Sequence, residues 1–136
     1  MENNLNYAHV VIQPEIDLTT SYVSAETTIQ NGLDGVGQIA DNNQLILLVD
    51  LVLGAGASCQ LVIQGSHDGT TWYQESVADV TAGTQTVTQP PYQFAESGNY
   101  PIPMQIRYNK VRVQFKRTGG SAGESNIQLA AIIAVS

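Results

Sequence analysis

Three consecutive residues, Ser66-His67-Asp68, have the side chains of a hydrolytic triad. A working triad needs the serine hydroxyl on one imidazole nitrogen and the carboxylate on the other, with groups drawn from distant parts of the chain. Neighbours in one tight turn cannot take up that arrangement. Gly69 follows, and Asp-Gly between two β-prone runs is typical of a hairpin turn in which the glycine has a positive φ. We therefore interpret the segment as a turn in which Asp68 caps its own backbone, and we predict no enzymatic activity.

Ligands for a metal ion or a cofactor are sparse in this sequence. The chain has one cysteine, Cys59, and two histidines, which do not give the spacing of a zinc site. Asp34 and Asp41 lie in a glycine-rich stretch that lacks the pattern of a calcium loop or a phosphate-binding loop. We interpret Cys59 as a small buried thiol and the glycine-rich stretch as a solvated loop. The sequence predicts no metal and no cofactor.

The basic residues are segregated near the C-terminus. No lysine or arginine precedes position 107, and the five that follow are Arg107, Lys110, Arg112, Lys116 and Arg117. Residues 111–116 alternate apolar and polar, which predicts a strand with Val111, Val113 and Phe115 facing the core. The same parity argument directs Arg107, Arg112 and Lys116 outward. We predict that these three side chains form a partner-binding face.

Two interpretations of that face remain open. The three cations could form cross-strand ion pairs with Glu75, Asp79 or Glu96, each worth a few tenths of a kcal/mol. Alternatively, they could dock on an acidic partner surface and orient its approach. Five basic residues against twelve acidic ones, with a net charge of −7, argue against nucleic acid or an anionic membrane as the partner.

Trp72 and Tyr73 are adjacent strand residues, so one should face the core and the other the solvent. We expect Trp72 to fill the core and Tyr73 to pack at its rim, because large aromatic residues dominate such cores. The alternative is an exposed aromatic platform that stacks on a sugar ring.

The elements that must position these residues are short strands. Runs of apolar or alternating residues between turn signals predict strands at 21–30, 44–53, 58–65, 71–77, 84–88, around 104–117 (two strands) and 127–135. About eight strands with no helical period predict an all-β fold, an antiparallel β-sandwich of jelly-roll type. We predict an N-terminal polar arm at 1–20 and a single sandwich domain at 21–136. The segment 89–103 contains four of the five prolines and is predicted to be a long loop.

Strands 44–53 and 127–135 are apolar on both faces or nearly so. This pattern predicts a central place in a sheet, or a second face covered by another subunit, and so a homo-oligomer. The chain of 136 residues fits one domain, and its charged fraction of 12% is about half the usual share. Residues 1–7 lack the features of a signal peptide, and no apolar run is long enough to span a bilayer, so we expect neither classical secretion nor a membrane partner.

Three strings carry a resemblance that covers residues 45–135. QLVIQGSHDGTTWY (60–73), IRYNKVRVQFKRTGG (106–120) and IQLAAIIAV (127–135) resemble a pattern of small β-sandwich structural proteins of tailed bacteriophages. There, an apolar strand leads into Gly-Ser-x-Asp-Gly-x-x-Trp and is followed later by Arg-Tyr-x-x-Val-Arg-Val. Residues 1–20 match no part of the pattern.

The resemblance implies a head decoration (cement) protein, a structural virion protein that binds the outside of a phage head. It implies the major capsid protein as partner, a homotrimer as the assembly, and a place on the capsid surface after synthesis in the host cytoplasm. The alternative is a carbohydrate- or host-binding module of a phage tail or another virion accessory structure. In that case Tyr73 or Tyr92 would be the platform.

Overall fold

The computed structural model describes residues 6–30, 44–74, 77–81, 84–88, 92–105 and 108–135, and these ranges contain strands and turns but no helix. Twelve strands are numbered here in chain order. Their bounds are β1 (Asn6–Asp17), β2 (Val23–Ser24), β3 (Ile29–Gln30), β4 (Gln44–Val52), β5 (Ala57–Ser66), β6 (Tyr73–Gln74), β7 (Val77–Thr81), β8 (Thr84–Thr88), β9 (Tyr92–Phe94), β10 (Gly98–Gln105), β11 (Lys110–Gly119) and β12 (Asn126–Val135). Four of them, β2, β3, β6 and β9, have only two or three residues.

Two antiparallel sheets make up the fold. The four-stranded sheet has the order β1-β12-β4-β10. The six-stranded sheet has the order β2-β11-β5-β6, with β3 also beside β11 and β9 also beside β5. β7 and β8 pair with each other as a separate two-stranded ribbon. The predicted all-β, antiparallel two-sheet architecture is therefore confirmed for the described residues.

The core lies between the inner faces of the two sheets, and alternation in the sequence explains which residues form it. Every second residue of β4 from Leu45 to Leu51 is buried, as are Val111, Val113 and Phe115 of β11. The inward orientation predicted for those three β11 residues is confirmed. Cys59 is fully buried, also as predicted. Each large apolar side chain enclosed in this way stabilises the fold by about 1.5–3 kcal/mol.

The N-terminal arm predicted for residues 1–20 is wrong over residues 6–17, which form β1 at an edge of the four-stranded sheet. The register shifts between Val11 and Gln13, so the polar and apolar residues there do not alternate regularly. Ile12 and Gln13 are both buried. The Gln13 Oε1 accepts a hydrogen bond from the Glu26 N–H at 3.0 Å, which ties β1 to the chain that leads into β3. A bulge thus hides the period that would have identified the strand.

The long loop predicted for 89–103 is also wrong, because 92–94 form β9, paired with β5, and 98–105 form β10, paired with β4. Pro101 and Pro103 lie two residues apart and are exposed, while Ile102 between them is buried. Among the described strands, β10 has a neighbour on one side only. An edge strand tolerates proline where the missing N–H would face away from the neighbouring strand, so proline is compatible with β10.

Candidate functional site

The Ser66-His67-Asp68 segment forms a turn, as predicted. The Ser66 hydroxyl donates to the Asp68 Oδ1 at 3.0 Å, and the same oxygen accepts from the N–H groups of Thr70 and Thr71 at 2.8 and 2.9 Å. Gly69 has a φ of 79°, which confirms the positive φ. The His67 ring packs against Tyr108, with centroids 5.2 Å apart. The serine hydroxyl is thus directed at the carboxylate and not at the imidazole, which is not the geometry of a triad.

Hydrogen bonding sets the charge state of this turn. The N–H groups of Thr71 and Thr70, and then the Ser66 hydroxyl, hold the pKa of Asp68 at about 2. The carboxylate is therefore ionised at neutral pH and does not serve as an acid. Its role is to fix the connection between β5 and β6, which places Trp72 beside the outer face of the six-stranded sheet.

That outer face contains two of the three cations predicted to form a partner-binding face. Arg112 and Lys116 alternate with the buried residues of β11 and are half-buried at the outer surface, as their parity predicts. They are four residues apart on one strand, which corresponds to about 13 Å. Arg107 lies outside the described residues. Arg117 has the opposite parity and is buried, with its guanidinium donating to the carbonyl oxygens of Leu18 and Gly119.

Arg112 is held in place by two neighbours. Its Nε donates to the Gln64 Oε1 at 2.7 Å, and its guanidinium carbon lies 4.3 Å from the centroid of the Trp72 ring. The expectation that Trp72 fills the core is therefore wrong, because Trp72 is half-buried on the outer face under this arginine. Because Nε is bound to Gln64, the two terminal nitrogens remain the donors for an external carboxylate.

Lys116 is similarly supported by an aromatic ring. Its Nζ lies 4.8 Å from the centroid of Tyr22, and the Tyr22 hydroxyl donates to the Gln60 Oε1 at 3.3 Å. Burial raises the pKa of Tyr22 above its usual value, with a smaller contribution from Cys59, so the phenol remains protonated at neutral pH. Gln114, between the two cations on β11, donates to the Ser24 Oγ at 3.0 Å.

These contacts give two cations whose side chains are ordered before any partner arrives. Ordering in advance reduces the rotamer entropy that is lost on binding. The basic residues were visible in the sequence, but their supports Gln64, Trp72 and Tyr22 were missed. Alternation alone did not reveal these supports, because it gives the face of a residue and not its neighbour across the sheet. The face fits an acidic partner surface, since a pair of cations on an otherwise acidic chain attracts carboxylates.

Two other exposed aromatic residues lie on the β5 side of the same sheet. Tyr73 is across from Gly65 and 54% exposed, and Tyr92 is across from Leu61 and 42% exposed. Tyr73, expected to pack at the rim of the core, is more than half exposed. Both tyrosines present apolar ring surface to solvent, as a sugar platform would require.

Among the described residues, no three His, Cys, Asp or Glu side chains lie together as a metal site would need. No helix in the described ranges is long and apolar enough to cross a membrane. No protein-family model matches the chain, and no curated protein is significantly similar to it in sequence.

Proposed function

We propose that this protein is a non-enzymatic structural protein of a tailed-phage virion, a decoration protein that binds the outside of the head and stabilises it. The observation that supports the proposal most directly is the pair of ordered cations, Arg112 and Lys116, on the outer face of a protein with net charge −7. The resemblance of residues 45–135 to phage sandwich proteins supplies the biological setting.

In this proposal the partner is the major capsid protein, and carboxylates of the shell are the groups that are recognised. Arg112 binds a carboxylate through its terminal nitrogens, while Lys116 steers the approach. Arg107, which lies outside the described residues, is the third cation that the sequence predicts for this face. The protein is made in the host cytoplasm and resides on the capsid surface.

The proposal includes two finer features, a jelly-roll topology predicted from the strand pattern and self-association predicted from the apolar strands 44–53 and 127–135. The two sheets are connected as a jelly roll, and copies of the chain associate as a homo-oligomer, for which the resemblance implies a trimer.

Cosedimentation with expanded, undecorated heads assembled from the capsid protein of the same phage tests this function. The parent protein should pellet with heads, and the variant Arg112→Gln with Lys116→Gln should bind at least about tenfold more weakly, because two charge-assisted contacts are lost. Binding by the variant should also depend less on salt. If parent and variant bind heads equally at low salt, the basic face is not the surface that binds the head.

A matched control separates the site from the overall charge. Ala55→Glu with Ala95→Glu lowers the net charge by the same two units, at exposed positions in the turns that follow β4 and β9. This control should bind heads nearly as tightly as the parent. If it is weakened as much as the glutamine variant, net charge and not the basic face governs binding. If the parent protein itself does not pellet, the decoration role is wrong.

The exposed tyrosines support a second candidate, a carbohydrate- or host-binding module of a phage tail or another accessory structure. Here Tyr73 or Tyr92 stacks on a sugar ring, and the exposure of both rings favours this use. A glycan array probed with the parent and with Tyr73→Ala and Tyr92→Ala variants tests it. Saturable binding that either substitution abolishes would support this candidate over the decoration role.

A further inference from the structure

The outer face of the four-stranded sheet has two adjacent apolar rows on its central strands, next to a polar row formed by Asp50 and Gln128. On β12 and β4, Ile132 lies beside Ile46 and Ala130 lies beside Leu48, all at positions that alternate with core residues. The pattern continues on both edges, where β1 adds Val11 beside Ala130 and β10 adds Pro101 beside Leu48.

Several of these side chains are exposed in the single chain, while Leu48 and Ile132 are half-buried and Ala130 is buried. Val11 is 43% exposed, Ile46 38% and Val52 50%. The outer face of an antiparallel sheet is ordinarily polar when it meets water. A contiguous apolar face is the feature that marks a contact region.

We propose that this face binds the same face of a second copy of the chain, in a two-fold contact with the sheets stacked about 10 Å apart. This pairing does not depend on the phage head. It leaves the basic face free, because Arg112 and Lys116 are on the outer side of the opposite sheet.

The arrangement of residues on the face argues for a second copy as the occupant. With a two-fold axis between β12 and β4, parallel to the strands, β12 of one copy faces β4 of the other. Ile132 then meets Ile46 of the second copy, and Ala130 meets Leu48. Asp50 is the neighbour of Gln128 in the next row, so the same axis brings this carboxylate to an amide donor instead of to another carboxylate. The face is thus complementary to itself.

The size of the face is adequate for a weak specific contact. Four strands spaced about 4.8 Å apart, each with eight residues that rise about 3.4 Å per residue, give the face an area of roughly 500 Å² on each copy. Two copies would bury about 1,000 Å², which is near the lower limit for a specific interface. We therefore expect a dimer that dissociates on dilution.

Size-exclusion chromatography with light scattering, on the full chain from about 5 to 100 μM and without heads, tests the pairing. The parent should approach twice the chain mass of 14.6 kDa as its concentration rises. Ile46→Lys should remain monomeric throughout, and Val11→Lys should shift dissociation to higher concentration. Thermal unfolding of each variant checks that the fold is retained.

Gln114→Lys is the matched control, since it adds the same charge in the middle of the outer face of the other sheet. It should dimerise like the parent. A parent that is monomeric at the highest concentration would overturn the inference, as would an oligomer that survives Ile46→Lys. A trimer would overturn the two-fold contact and favour the assembly that the resemblance implies. Because no heads are present, these outcomes are separate from success or failure of the decoration role.

Discussion

In the turn between β5 and β6, a single carboxylate oxygen of Asp68 accepts hydrogen bonds from the backbone N–H groups of Thr70 and Thr71. Ser66 assists, because its hydroxyl oxygen accepts from the Gly69 N–H at 2.8 Å while its proton goes to Asp68. Residue types that suggest catalysis in the sequence thus have a structural use here. Tyr108 packs over Gly65, where a Cβ would lie 2.1 Å from the Tyr108 ring, so this position of the ring requires a glycine there.

The ionised form of Asp68 should make stability depend on pH. Its pKa is about 2 in the folded protein, against about 3.9 for an unfolded aspartate. Between these values the unfolded chain binds more protons, so the contribution is complete above about pH 4 and is lost as the pH falls towards 2. Asp68→Asn should lower the urea midpoint at neutral pH and should reduce the fall between about pH 4 and 2.

Urea unfolding of the parent and the variant at several pH values measures this effect. Asp50→Asn is the control, because it removes an exposed carboxylate of the outer face and leaves the Asp68 turn intact. It should retain the slope of the parent. An unchanged slope in Asp68→Asn would mean that the turn does not depend on the charge of this residue.

At the scale of the element, the edge strands β1 and β10 differ most from expectation. Each has a feature that obscures the strand pattern in the sequence: β1 contains a bulge, and β10 contains two prolines. Both are stabilised by a buried side chain, Ile12 in β1 and Ile102 in β10, that contributes to the common core. Burial between the sheets outweighs the weak local preference of these segments.

Substitution of Ile12 tests whether β1 belongs to the fold. Ile12→Ala should reduce the free energy of unfolding by about 2–5 kcal/mol, because a fully buried side chain leaves a cavity. Glu15→Ala, at an exposed position of the same strand, should change it by less than about 0.5 kcal/mol. Denaturant unfolding compares the two. Equal, small effects would mean that residues 6–17 are the free arm expected from the sequence.

The whole molecule presents two different outer faces around one closed core. One face has ordered cations over aromatic rings, and the other is apolar with Asp50 near its middle. The first suits an acidic partner and the second a copy of the chain. Such a division allows both proposed contacts to form at the same time, because the two faces lie on opposite sides of the sandwich.

The reactivity of the Cys59 thiol measures how well that core excludes solvent and reagents. Its thiol is fully buried, and burial raises its pKa to about 12. Since the thiolate is the reactive form, modification by an aromatic disulfide reagent at pH 8 should be at least about a thousandfold slower in the folded protein than in urea. Cys59→Ala with Ser121→Cys, which has an exposed thiol instead, should react at the unfolded rate in both conditions. Rapid labelling of the folded parent would contradict a closed core.

The sequence by itself determined the fold class, the β5–β6 turn, the inner face of β11 and the outward parity of Arg112 and Lys116. Those features depend on local chemistry: a two-residue period, the positive φ of Gly69 and the capping of backbone groups by Asp68. The tertiary structure alone decided that residues 6–17 and 98–105 are strands, because their burial comes from partners distant in the chain. It also decided the position of Trp72. The strand that follows Trp72, β6, has only two residues, and the pairing of β11, β5 and β6 brings Arg112 and Gln64 beside Trp72. Alternation assigns a residue to a face, and only the packing of strands determines which side chains meet there.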